Sequence, residues 1–111
     1  MGSHHFSHPL YIMGARLHAL RCYYELFLKD GSYYELLLSQ GQAFEKFVRR
    51  SKVYNDGVSQ ACLNFVSMVL RMANLRNGKK FRKAEKEGLY QKMKEQGNTI
   101  SRSWLLEKIE Q

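Results

Sequence analysis

The chain contains a single proline, at position 9, and none in all that follows. Proline is the strongest helix breaker, so nearly the whole chain is open to helix formation. Cysteine is scarce too. Cys22 and Cys62 are too few for a disulfide framework, and both fall in apolar periodic stretches. Reduced, buried thiols are the expectation there, and with them a cytoplasmic protein. Histidine is absent beyond position 18, leaving only His4, His5, His8 and His18. Nucleophilic catalysis needs a base beside the nucleophile, usually a histidine, and most of this chain has none to offer. His18 and Cys22 stand four apart on one helical face, but a core cysteine beside a surface histidine is the expected arrangement. His4, His5 and His8 lie in a terminal segment without preorganised geometry, so no metal site is expected from them.

Other absences narrow the field further. No Gly-x-Ser-x-Gly elbow occurs, and Asn77-Gly78-Lys79-Lys80 lacks the spacing and the Ser or Thr of a phosphate-binding loop. Acidic residues number ten, and Glu85 and Glu87 diverge on a helix because they are two apart. No apolar run approaches the roughly 18 residues needed to cross a bilayer. No basic stretch followed by an apolar one marks a secretory signal near the start. The expectation is a protein with no enzymatic activity, cofactor, metal or membrane association.

What is abundant is helix-forming residues, aromatics and positive charge. The 111 residues fit one domain, with residues 1–8, which open MGSHH, read as a tag remnant and 9–111 as a single helical domain. Leu10, Met13, Leu17, Leu20, Tyr24, Phe27 and Leu28 recur at helical spacing after Pro9, which suits a first-turn position. Lys29-Asp30-Gly31 then supplies a terminal cation and a capping glycine, and Ser32 with Glu35 spells a capping box for a second helix. The stretch YYELFLKDG at 23–31 is nearly repeated as YYELLLSQG at 33–41. Asp30-Gly31 between the copies is also a hairpin signal, but Leu36-Leu37-Leu38 breaks the alternation a strand requires. Each copy therefore reads as the end of a helix. That gives a short helix at 33–40 and another at 42–52, or one longer helix through Gly41 at a cost of about 1 kcal/mol.

Asn55-Asp56-Gly57 marks the next break, with Asn55 or Asp56 as cap. Val58, Ala61, Cys62, Phe65, Val66, Val69, Met72 and Ala73 then form the clearest helical stripe, broadened by Leu63, Leu70 and Leu75. A helix apolar over so much of its girth is expected to be central. Asn77-Gly78 stops it, a basic helix follows at about 79–96, Gly97-Asn98 breaks the chain, and a last helix at 100–110 carries Trp104. The fold class expected is all-α: a compact single-domain bundle of four to six helices with 58–76 as the buried centre.

The net charge is +8, and residues 71–94 hold nine Lys or Arg against two Glu, nearly the whole excess. A localised basic stretch points to a polyanionic partner, DNA or RNA. The expected contacts are Arg76, Lys79, Lys80, Arg82, Lys83 and Lys86, with Arg49 and Arg50 as a second cluster. A helix start near Lys79 adds free amides for an anion, and Phe81 is expected to anchor that helix to the core. The alternative is a protein partner or self-association. Seven Tyr and six Phe exceed what a small core readily hides, and the adjacent pairs Tyr23/Tyr24 and Tyr33/Tyr34 mark where an interface is expected.

Residues 44–75, FEKFVRRSKVYNDGVSQACLNFVSMVLRMANL, resemble part of the helical core-binding domain of tyrosine recombinases. The resemblance is one of pattern, a basic aromatic helix followed by a polar break and a longer apolar helix, over about a third of the chain. It implies a helical DNA clamp.

Overall fold

A computed structural model describes the backbone of residues 9–51, 56–76 and 80–111, with side chains from Ile12 onward. The described residues form five α-helices: α1 (Pro9–Lys29), α2 (Tyr34–Arg50), α3 (Asp56–Arg76), α4 (Lys83–Gln96) and α5 (Arg102–Glu110). The described residues include no strand. The all-α bundle expected from the sequence is what forms.

Its centre is α3. Ala61, Cys62, Phe65, Val66, Met68, Val69, Met72 and Ala73 are all buried, and every other helix packs against this one. Each large side chain removed from water contributes about 1.5–3 kcal/mol, so this helix dominates the stabilisation of the core. Side-chain pairs fix the directions of the rest. Tyr34 meets Asn74 and Gly41 meets Leu70, so α2 runs antiparallel to α3. Phe27 lies against Tyr34 and Arg16 over Phe47, so α1 and α2 form an antiparallel hairpin. Cys62 contacts Met13, which sets α1 parallel to α3. Trp104 packs on Phe65 and Tyr24, laying α5 alongside α1 and α3.

The junction between α1 and α2 differs from the expected one. Asp30, rather than the Ser32–Glu35 box, makes the cap: its Oδ1 accepts from the Ser32 amide at 3.0 Å, and Gly31–Tyr33 forms a 3-10 turn. That amide also holds the Asp30 carboxyl below its ordinary range. The chain does not break at Gly41 either. The helix Tyr34–Arg50 is continuous, and a Cβ placed on Gly41 would lie 2.7 Å from Leu70 Cδ2. Glycine is there so that α2 and α3 can approach closely, and tight packing offsets its poor helix propensity. The two similar nonamers thus have different fates: the first ends a helix and the second runs through one.

Cys62 is buried, and burial pushes its thiol pKa up. Cys22 is exposed, contrary to expectation. The core row of α1 runs through Leu20, Tyr24 and Phe27, and position 22 falls on the other side of the helix. Its Sγ lies 3.6 Å from Nε2 of His18, which is exposed as well.

Asn64, a polar residue on α3, is buried. Its Nδ2 donates to the carbonyls of Asn98 at 2.7 Å and Gln96 at 3.3 Å, while its Oδ1 accepts from Gln60. One side chain of the central helix thereby satisfies the frayed end of α4. Gly97 takes φ 80° in this turn, a conformation that suits glycine, and Ser101 at φ 52° precedes α5 in the same left-handed region. The last helix begins at Arg102, two residues later than the spacing indicates. The sequence breaks at Asn55 and at Asn77-Gly78, the residues 1–8 with His4, His5 and His8, and Lys79 all lie outside the described residues.

Candidate nucleic-acid interface

The basic segment lies where α3 ends and α4 begins. The helix starts at Lys83, not near Lys79, because Phe81 is buried at 5% exposure and pulls a short non-helical stretch onto the core. Phe81 is the anchor its spacing indicated. Arg82 has extended backbone, and neighbours in extended chain point to opposite sides. With Phe81 turned inward, Lys80 and Arg82 on either side of it are exposed, and so is Lys83.

The helix start itself is not an open anion site. Glu85 Oε1 accepts from the Arg82 amide at 2.8 Å, and that bond keeps its carboxyl below the usual carboxylate range. The Arg82 guanidinium is 3.5 Å from the same carboxylate but stays largely in water. An incoming phosphate would compete with Glu85 for the first-turn amides, which corrects the expectation of free N–H groups.

Arg76 is not presented to solvent as a simple phosphate contact. Its guanidinium carbon sits 5.3 Å from the Phe81 ring centroid, and its Nη1 is buried without a hydrogen-bond partner. Beside it lies the buried hydroxyl of Tyr24, whose polar neighbour is this guanidinium. Burial pushes Tyr24 up to about 12, with the nearby Arg76 charge opposing that rise. Lys86, half-buried, reaches Glu110 on α5 at 3.7 Å.

Arg49 and Arg50 are exposed at the other end of the bundle. They close α2, whose start meets the end of α3, so the length of α3 separates them from Lys80–Lys83. At 1.5 Å per residue, the 21 residues of α3 span about 30 Å. Arg49 is 3.8 Å from Glu45 on its own helix. The structure thus brings Lys80, Arg82 and Lys83 together and leaves Arg49 and Arg50 as a separate patch.

The tyrosine pairs divide between core and surface. Tyr24 is fully buried, its ring edge-on to Trp104 at 5.5 Å, so it is unavailable to a partner. Two tyrosines adjacent in a helix face about 100° apart, and here the core took one of the pair. Tyr23, Tyr33 and Tyr34 are half-buried. Sequence reasoning missed Lys108, which is 5% exposed yet cationic. Its ammonium pairs with Glu25 and lies 5.9 Å from the Trp104 centroid, which the Arg21 guanidinium also approaches, at 5.4 Å. Its place one helical turn beyond Trp104 was the only signal of burial.

The chain matches no family model, no curated protein and no solved structure. The likeness of residues 44–75 to a recombinase core-binding domain therefore rests on residue pattern alone. Among the described residues, no group of three metal-ligating side chains occurs and no helix is long and apolar enough to cross a membrane.

Proposed function

We propose that the protein is a non-catalytic helical module that binds the phosphate backbone of DNA or RNA through the start of α4. The observation that carries this reading is the cationic ridge Lys80, Arg82 and Lys83, held outward by a buried Phe81. Neither Lys80 nor Lys83 has a carboxylate partner among the described residues, so their charge is available to an external anion. Arg49 and Arg50, about 30 Å away, form a secondary patch that a duplex reaches only over roughly nine base pairs at 3.4 Å each.

Salt-titrated binding to a random duplex and a random single-stranded RNA tests this. Two unpaired cations, and Arg82 where phosphate displaces Glu85, give a slope of log K against log salt of about −2 to −3 for duplex DNA. Changing Lys80, Arg82 and Lys83 together to Glu abolishes binding and leaves the helical circular dichroism intact. The pair Arg49→Glu and Arg50→Glu weakens binding less. No binding of either nucleic acid at low salt, or a triple variant that binds like the parent chain, refutes the proposal.

A further inference from the structure

Helix α1 carries two apolar rows, and the core uses only one. Met13, Leu17, Leu20, Tyr24 and Phe27 belong to the core or pack against it. Ile12, Ala15, Ala19, Cys22 and Leu26 follow the alternating three-and-four spacing of a second seam. In this row Ala15, Cys22 and Leu26 are exposed, Leu26 at 37%. On α2, Leu36, Gln40, Ala43 and Phe47 make a matching row, with Leu36 at 39% exposure. Phe27 against Tyr34, and Arg16 over Phe47, set these rows side by side along the outside of the hairpin. Neither row contains a charged residue, in a chain of which a quarter is charged.

We infer that this outer face of the α1–α2 hairpin associates with a second copy of the chain, laid antiparallel across it. The orientation comes from charge. Along one edge of α2 stand Glu35 near its start and Lys46 and Arg50 near its end, all exposed. Helical periodicity keeps the three within about 60° of one another. If Leu36 of one copy faces Phe47 of the other, Gln40 faces Ala43, and Glu35 falls against Lys46 and Arg50. The two-fold repeats every such pair, as an isologous contact requires. A parallel arrangement would instead stack Lys46 and Arg50 on themselves. Antiparallel packing also opposes the two helix dipoles favourably.

This inference is independent of nucleic-acid binding and is tested without nucleic acid. Sedimentation equilibrium of the full chain, from micromolar to millimolar concentration, should approach twice the 13.1 kDa chain mass. Leu26→Glu with Leu36→Glu buries charges in the contact and should lower the association constant at least about 100-fold. Both leucines are more than a third exposed in the single chain, so the helical circular dichroism of dilute protein is retained, with a thermal midpoint lowered by a few degrees for the apolar area each still buries. Glu35→Arg should weaken association by about tenfold, and Glu35→Arg combined with Arg50→Glu should restore it. A monomer at every concentration overturns the inference. So does an assembly that tolerates the two glutamates, or a charge swap that fails to recover.

Discussion

Replacing Asn64 by alanine tests whether one amide holds two helices together. In the native chain Nδ2 donates to the carbonyls of Asn98 and Gln96, and Asn64 is 5% exposed. The alanine variant removes both donors but leaves the carbonyls in place at the end of α4. A hydrogen bond contributes about 1 kcal/mol net, and an acceptor stranded away from water costs about 1–3 kcal/mol. The Gln60 side chain also loses its acceptor, but Gln60 is exposed and water replaces it. The expected loss is about 2–3 kcal/mol, or a thermal midpoint lower by roughly 10 °C for a domain this size. Urea unfolding followed by circular dichroism measures it, with the slope unchanged if only stability has moved.

The second half of the test is Asn64→Asp, which has nearly the same shape. An ionised carboxylate has no N–H to give and faces two carbonyl oxygens, so at neutral pH this variant is less stable than the alanine one. That environment raises the carboxyl's folded pKa above its unfolded value of about 3.9. Its contribution to stability is therefore present below about pH 4 and is lost as pH rises through the folded pKa. Relative to the alanine variant, Asn64→Asp regains stability on acidification. An alanine variant that loses less than about 0.5 kcal/mol, or an Asp variant as stable as alanine at neutral pH, refutes the assignment of Asn64 as a donor to both carbonyls.

Tyr24 holds its proton up to about 12, against an ordinary 10.0, so its share of stability is complete below pH 10 and disappears as pH passes 12. Tyr24→Phe removes a buried hydroxyl that makes no well-formed hydrogen bond and has only the Arg76 guanidinium beside it; it should stay within about 1 kcal/mol of the parent stability at pH 7. The same variant should raise the midpoint of alkaline unfolding, and equal midpoints in the two chains would count against the burial of that hydroxyl. Among the glycines, Gly14→Ala and Gly88→Ala meet nothing within 4 Å and should each stabilise by about 0.5–1 kcal/mol in thermal melts. Gly41→Val should destabilise by about 1–3 kcal/mol because Leu70 already occupies the space, and a neutral result would mean α2 and α3 separate readily.

Periodicity made the architecture legible because burial on α3 is nearly all-round. Where eight apolar positions fall at helical spacing, the helix, its place at the centre and its end at Arg76 follow with little ambiguity. Glycine was harder to place. Gly97 punctuates the chain through its own positive φ, a local property that sequence reveals. Gly41 serves a contact with Leu70, 29 positions away in sequence, and nothing local separates that role from a break. Asn64 and Lys108 were missed for the same reason. Their polar groups are satisfied by partners outside their own helix, which polarity alone does not reveal.

Charge shows the same division between count and placement. The sequence locates a basic segment, but tertiary contacts decide how much of it faces water. Arg76 is spent on Phe81, Lys86 reaches Glu110, Arg82 shares Glu85 and Arg49 lies near Glu45. Of the described candidate contacts, Lys80, Lys83 and Arg50 are left as exposed cations without a carboxylate partner. So few contacts bind a polyanion weakly from one chain, since each neutralised phosphate adds only a modest increment. If two chains pair through the α1–α2 face, Arg50 meets Glu35 of the other copy, but one particle carries two Lys80–Lys83 ridges, and the second engages at high effective concentration when the ligand can reach it. Breaking the pair with Leu26→Glu and Leu36→Glu should then cost nucleic-acid affinity without lowering the salt slope of the remaining single set.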